Sequence, residues 1–390
     1  FVASERSSVI FVYEIDASGK RPVLQQVLPA GVGPEGVKAI PSRNLLVAAS
    51  EEDAREDGIR SVINIYELSE GAPNYPTVVS ADRNDGTPIP WAALSGLAVD
   101  PADGDTVYTI HDSFYRQSRI YAMDVSQQPA VITDEIVLKD GTLTVDLDPE
   151  GIAVSASGDG SFWVASEGAG SVDDPDRPVT SNNVLVHAAA DGDIMATVAL
   201  PASVNEKQRR FGFEGVTSVM EGDNEVLYVA FQRAWIGDPE PDNVADGGKV
   251  RIGRYNTGTG DWSFAYYPLD VRESPNEGWV GLSEITALGS DEFAVLERDN
   301  QAGPDARIKK VYKFSVTGVA FKADGEAFET VSKTLVDDLM DDLQAPNGLV
   351  LEKVEGMTVL PDGTTLVVND NDGVDDSNGE TQLLRIDGLF

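Results

Sequence analysis

The sequence predicts an all-β chain, a seven-bladed β-propeller, with a six-bladed ring as the alternative. Three observations carry that expectation. One short phrase recurs along the chain, each copy is followed by further alternating apolar runs, and the two ends supply complementary parts of one unit.

The recurring phrase reads PEGVKAI (34–40), LSGLAVD (94–100), PEGIAVS (149–155), FEGVTSV (213–219), LSEITAL (282–288) and VEGMTVL (354–360). Its second residues are Glu35, Ser95, Glu150, Glu214, Ser283 and Glu355, at intervals of 60, 55, 64, 69 and 72 residues. Loop insertions explain the excess over a usual blade of about 40–50 residues. A turn follows each phrase, and then a second apolar run: LLVAASE (45–51), VYTIHD (107–112), FWVASE (162–167), LYVAFQ (227–232), FAVLER (293–298) and LVVND (366–370). A third run such as SVINIYEL (61–68) or KVRIGRYN (249–256) comes next, and usually a fourth. Runs rich in Val, Ile, Tyr and Phe between Gly/Asp/Pro turns are strands. FVASER (1–6) matches the second-run phrase FWVASE, so the N-terminus supplies second to fourth strands and the C-terminus first to third. Residues 1–390 are thus expected to form one propeller domain, with Phe1–Pro29 packing beside the blade of Glu355 to close the ring. The one expected helix is short, around VDDLMDDLQ (336–344). Because Phe1 stands inside a strand, a processed form or fragment is expected.

Composition narrows the function. The chain has 66 acidic residues against 29 basic ones, a net charge of −37, which repels nucleic acid and anionic membranes and attracts cations. No apolar run is long enough to span a membrane. There is no cysteine, which removes disulfides, thiol nucleophiles and cysteine-based zinc sites. Two histidines cannot build a multi-histidine metal centre. No G-x-S-x-G elbow, Walker loop or G-x-G-x-x-G follows a strand.

In a propeller the innermost strand begins, and the second ends, on the same face, so the repeats stack two columns at one mouth. The inner column is Glu35, Ser95, Glu150, Glu214, Ser283 and Glu355, with Glu284 beside Ser283. The second is Glu5, Glu51, Asp112, Glu167, Gln232, Arg298 and Asp370. Crowded carboxylates repel unless a positive charge compensates them, and hard cations with oxygen ligands are the usual solution. The metal candidates are Glu35, Glu150, Glu214, Glu284, Glu355, Glu167, Asp112, Asp370 and Asp372, and the cation expected is Ca2+. Each such Glu has an alternative role, accepting backbone N–H groups and fixing blade spacing. The catalytic candidates are Glu214 and Glu150, with Arg298 to grip an anion and His111 as an acid/base or ligand. Arg233 and Arg6 are further compensating cations, and His187 reads as a packing or surface residue. The acidic turns 370–380, 171–178 and 237–243 are either cation loops or solvated turns, and Asp238 reads as a surface position far from the repeats.

The succession WAALSGLAVDPADGDTVYTIHD, DPEGIAVSASGDGSFWVASEG, FGFEGVTSVMEGDNEVLYVAFQ, LSEITALGSDEFAVLERDN and VEGMTVLPDGTTLVVNDNDG resembles the bacterial phytase-like family with esterase-like activity, from about residue 91 to the C-terminus. FVASERSSVIFVYEI and GPEGVKAIPSRNLLVAASEED resemble propeller repeats of exported, surface-anchored bacterial proteins. The resemblance implies a propeller, a periplasmic or extracellular location, and calcium-dependent hydrolysis of phosphate or other esters on a small anionic or ester substrate. The Asp-Ala-Asp-Asp-Pro-Ala segment of the better understood propeller phytases is missing, which counts against phytate itself. The reading is a calcium-dependent ester hydrolase, foremost a phosphoesterase. The alternatives are a non-catalytic, cation-stabilised binding or surface module and a lactonase-type hydrolase with one axial calcium.

Overall fold

Runs of β-branched and aromatic residues become strands because their stiff side chains pack well on a pleated surface, and the polar turns between them fold consecutive runs into antiparallel hairpins. The computed structural model describes residues 1–15, 18–19, 21–54, 59–71, 75–240, 247–275, 278–345, 348–373 and 381–390. Two N-terminal sheets come first: β1 (Val2–Ser4), β2 (Val9–Glu14) and β3 (Val23–Pro29), then β4 (Pro34–Ile40), β5 (Leu45–Ser50) and β6 (Val62–Glu67). A five-stranded sheet holds β7 (Val78–Ser80), β8 (Leu94–Val99), β9 (Thr106–His111), β10 (Arg119–Asp124) and β11 (Ala130–Val137), with β7 parallel to β11 at the outer edge. A small hairpin, β12 (Lys139–Asp140) and β13 (Leu143–Thr144), precedes three four-stranded sheets. These are β14 (Pro149–Val154) to β17 (Ile194–Ala199) through β15 (Phe162–Ser166) and β16 (Val184–Ala188); β18 (Phe213–Glu221), β19 (Asn224–Phe231), β20 (Lys249–Asn256) and β21 (Asp261–Pro268); and β22 (Val280–Ala287), β23 (Glu292–Asp299), β24 (Lys309–Ser315) and β25 (Lys333–Asp338). The last sheet is β26 (Lys353–Val359), β27 (Thr365–Asp370) and β28 (Leu383–Ile386). The chain is all-β with four-stranded antiparallel sheets recurring, as expected.

The expected helix is shorter than its sequence window. Val336 to Asp338 extend β25, and only α1 (Met340–Gln344) of that segment is helical. Pairing along the edge of β24 wins over helix propensity there. Among the described residues no helix is long and apolar enough to cross a membrane.

Each copy of the phrase carries the same local irregularity. A one-residue bulge interrupts the pairing between Pro34 and Gly36, Leu94 and Leu97, Pro149 and Gly151, Phe213 and Val216, Leu282 and Glu284, and Val354 and Gly356. A bulge re-aims the side chain it inserts. The aligned Glu or Ser sits in every one of these bulges.

The hydrophobic cores lie between sheets. Ala98 and Ile110 pack with Ile152 and Val164, Trp163 and Ala165 with Phe213 and Val229, and Val219 and Tyr228 with Ile285 and Phe293. Leu296 and Val311 pack with Met357 and Val367, and Leu94 and Leu97 pack with Leu366, Val368 and Leu383. Each fully buried apolar side chain contributes roughly 1.5–3 kcal/mol. The innermost strands touch in the same order: β8 with β14, β14 with β18, β18 with β22, β22 with β26, and β26 with β8. Backbone contacts join the first and last of these sheets, with Leu383 N–H donating to Thr77 Oγ1 at 2.9 Å and Ala93 N–H to Asn371 Oδ1 at 3.0 Å.

That succession corrects the sequence reading, which counts β1–β3 and β4–β6 as blades of the same ring. Those two sheets share a core of their own, Ile10, Ala30, Leu46 and Ala48, and β1 packs on β4. The place expected for Phe1–Pro29, beside the sheet of Glu355, is taken by β8. Strand phrases are local, whereas a sheet's neighbour is chosen by which apolar faces fit.

Candidate functional site

The bulges bring three glutamates together. The carboxylates of Glu150, Glu214 and Glu355, from β14, β18 and β26, are all buried, and their oxygens lie within 4.8 Å of one another. Two further groups adjoin them: Asp112, Asp148 and Glu150, and Asp112, Asp370 and Asp372. Asp112 and Glu150 thereby link all three groups. Ser95, at the same repeat position of β8, donates from Oγ to the Glu150 carbonyl at 2.9 Å and approaches its Oε2 at 3.4 Å. Ser283 donates to the Val354 carbonyl at 2.8 Å. The two serines therefore tie neighbouring inner strands while the glutamates put charge on the axis.

Burial decides the electrostatics. It pushes the Glu150 and Glu214 carboxyls well above the usual carboxylate range, and neighbouring carboxylates push them further. Asp148 is pushed up to about 8, first by burial and then by its hydrogen bond with the Asp112 carboxyl. Burial raises Asp112 too, but the Lys353 ammonium and the hydrogen bond from Asp148 outweigh it and leave that carboxyl below its ordinary value. Burial carries Glu167 up to about 7, against the pull of the Gly212 and Phe211 N–H groups.

Two cations answer part of this charge. Lys353 Nζ lies 3.1 Å from Asp370 Oδ2 and 3.7 Å from Asp112 Oδ2, and it pairs with Asp372. Arg298 pairs with Glu355 through Nη2 and lies 3.7 Å from Glu352. Among the described residues Glu214 has no such partner: its Oε2 is buried without a hydrogen bond, as are Nε and Nη1 of Arg298. A buried, unpartnered carboxylate oxygen beside two more glutamates is a donor set that suits a hard divalent cation, and the fit to calcium is good on ligand chemistry. Glu150, Glu214 and Glu355 are the residues that would hold it.

Other expected ligands lie elsewhere or serve other ends. Glu284 is buried at the axis, but its carboxylate accepts N–H groups from Ile285 at 2.9 Å, Leu97 at 3.3 Å and Met357 at 3.5 Å. It takes the alternative role, tying three inner strands. Glu167 is half-buried near the cluster and accepts the Gly212 N–H at 2.6 Å. Glu35, Glu5 and Glu51 are exposed on the N-terminal sheets, so Glu35 leaves the set of ligands. His111 is corrected as well: both ring nitrogens face backbone carbonyls, of Asp112 and of Gln117 at 3.0 Å, and burial lowers its proton affinity despite them. It braces the end of β9 and offers no nitrogen to the mouth. His187 stacks on Trp163 at 4.1 Å, in keeping with a packing role.

The acidic turns divide likewise. Asp375 and Asp376 lie outside the described residues. Asp173 pairs with Arg209 and Asp174 caps its own turn, so these two carboxylates of 171–178 are bonded to the protein itself. Asp238 is no surface position: it is buried and pairs with Arg251 at 2.9 Å, also accepting the Tyr266 hydroxyl at 3.0 Å.

Sequence reading missed Asp148 and Lys353. Both stand two residues before an anchor, in DPEG and KVEG, and the two-residue period of a strand puts positions i and i−2 on one side. That offset was the available signal.

A comparison with curated proteins finds no match. Among solved structures, the chain is similar to hydrazine synthase of Kuenenia stuttgartiensis, at 14% identity over 98% of this chain and 94% of that one, with a TM-score of 0.36. It is also similar to the mannose phosphorylase MPT-4 of Leishmania mexicana, in complex with phosphate ion, at 12% identity over 82% and 90% of the two chains, with a TM-score of 0.40. Likenesses this distant carry no inference about activity. A family model does match, over residues 89–373, which include all three axial glutamates and exclude both N-terminal sheets; the chain belongs to the phytase-like family described by the esterase-like activity of phytase.

Proposed function

We propose that this protein is a calcium-dependent ester hydrolase, foremost a phosphoesterase, working at the axial cluster of a five-bladed propeller formed by β7 to β28. The observation that carries the reading is the trio of buried glutamates whose Glu214 Oε2 has no partner. Family membership supports hydrolysis. The cyclic order of inner strands supports the five blades. A calcium ion in this cluster would supply positive charge to offset that building on the ester oxygens.

The chain's own groups have separable tasks. Arg298 is buried and held firmly in its charged form by Glu355, Glu352 and Glu214, against the cost of its burial. Its Nε and Nη1 make no hydrogen bond and are donors for an anionic oxygen. Asp148, with its carboxyl near 8, holds its proton around neutral pH and is the group able to give it to a leaving oxygen, while at alkaline pH its carboxylate can take one from water. Lys353 pairs with Asp370, Asp372 and Asp112 and offsets one of their charges, so a divalent cation held by the three glutamates would offset two more. A periplasmic or extracellular setting, where calcium is plentiful, fits such a site.

The test is hydrolysis of a chromogenic phosphate monoester and a carboxylic ester, with calcium and with chelator. Glu214→Gln keeps the shape and removes the unpartnered charge, so calcium-dependent turnover is expected to fall by about 10²–10³-fold. Equal rates in wild type and variant would transfer the family fold to the non-catalytic reading.

A further inference from the structure

A second site lies against the axial cluster, and it has the opposite charge. A cavity of about 530 Å³ is lined by Arg210, Arg233, Lys249 and Arg272, together with Phe211 and Trp279. In a chain of net charge −37 these four cations form no ion pair among the described residues. Arg233 lies over both rings, 5.4 Å from the centre of Phe211 and 5.1 Å from that of Trp279, and Arg210 lies 4.8 Å over Phe211. A guanidinium stacked on a ring is held in plane and presents its N–H edge outward, the geometry that receives a carboxylate or phosphate. The rings are fixed in turn. Phe211 has φ of 65°, a conformation rare for an aromatic residue, and its carbonyl accepts the Arg233 N–H at 3.3 Å. Trp279 also carries Arg298 over its ring at 5.4 Å, so one wall of the cavity is the back of the axial site.

Leu269, Val271 and Val280 add an apolar stretch of wall, and the two carboxylates of the lining are already paired, Glu240 with Arg209 and Asp270 with Lys310 and Lys333. A ligand made only of charged groups would leave that surface unused. We infer that this cavity is a binding site for an organic anion that joins one phosphate or carboxylate group to an apolar body. Its use as a substrate subsite rests on the hydrolase reading; binding itself does not.

The test is calorimetric titration with phenylphosphonate and methylphosphonate, two ligands of like charge that differ in their apolar body, and with benzoate to separate carboxylate from phosphate recognition. Chelator and the Glu214→Gln background keep the axial site out of the measurement. Phenylphosphonate should bind about tenfold more tightly than methylphosphonate. Arg233→Met should weaken both about tenfold, and Arg210→Met, an exposed change that spares the fold, should weaken both in the same direction. Trp279→Leu should remove only the preference for phenyl. Equal affinities for the two phosphonates would overturn the proposal, as would unchanged binding in both arginine variants. Tighter binding of inositol hexakisphosphate, lost in Arg233→Met, would mark a polyanion site and overturn it too. Loss of hydrolysis in Glu214→Gln with phenylphosphonate binding intact separates this inference from the fate of the catalytic one.

Discussion

Glu35 and Glu150 begin from the same three letters, Pro-Glu-Gly, and each sits in a one-residue bulge at the start of the first strand of its sheet. Glu35 is exposed, whereas Glu150 is buried with Glu214 and Glu355. The difference lies in the neighbour. A Cβ added at Gly151 would come within 2.4 Å of the Glu214 carbonyl and 2.7 Å of the Gly215 Cα, because β18 abuts β14 there. At Gly36 the same atom would meet only the Ala49 methyl of its own sheet, at 3.6 Å. The phrase thus encodes a bulge and a backbone close enough to receive another strand, and a strand arriving there turns the glutamate from a surface charge into a buried carboxylate beside others.

Four measurements sharpen or break that contrast. Glu214→Gln should cost calcium-dependent turnover 10²–10³-fold, roughly 3–4 kcal/mol, while Glu35→Gln should leave the rate unchanged. Parallel losses would mean that the N-terminal sheets share the site after all. Next, Gly151→Ala should destabilise the fold by about 3 kcal/mol in urea unfolding through overpacking against backbone, and Gly36→Ala by no more than about 0.5 kcal/mol. Similar costs would show that β4 has a close neighbour too.

Calcium at a hundredfold excess over its dissociation constant should stabilise wild type by about 2.7 kcal/mol. Magnesium, which keeps its waters, should do less, and Glu214→Gln should lose most of the gain while Glu35→Gln keeps it. A melting curve unmoved by chelator would remove the metal site.

The smallest effect is on pH. The carboxyls of Glu167, about 7, and Asp148, about 8, are raised above their unfolded values, as are those of Glu150 and Glu214. Stability from such groups is full below their unfolded values near 4 and drains away as pH rises through the folded ones. Calcium-free protein should therefore lose about 1 kcal/mol or more between pH 5 and pH 8, and calcium should offset the loss. Stability that rises over that window in chelator would contradict the burial described for these carboxylates.

The strand order within each sheet and the aligned anchors were readable because each depends on local periodicity, and the family match follows the same phrases. Asp148 and Lys353 were readable in principle, two residues before their anchors, but nothing local says that Lys353 will meet Asp112, far away in sequence. His111 looked like a mouth residue because it precedes Asp112, and only the turn at Gln117 reveals that its ring is bonded to backbone. Asp238 looked free until β20 brought Arg251 beside it.

The sequence by itself determined the strands, their hairpins, the bulge at every anchor and the supply of carboxylates at the strand ends, since each needs only a few adjacent residues. Tertiary structure alone decided which sheets join in one succession and which glutamates face each other. It also decided that Glu284 is bonded to backbone while Glu214 is left with an unpartnered oxygen. The physical reason is distance along the chain: contacts such as Ala93 with Asn371 form between segments that share no local pattern, and they are selected by the fit of whole apolar faces.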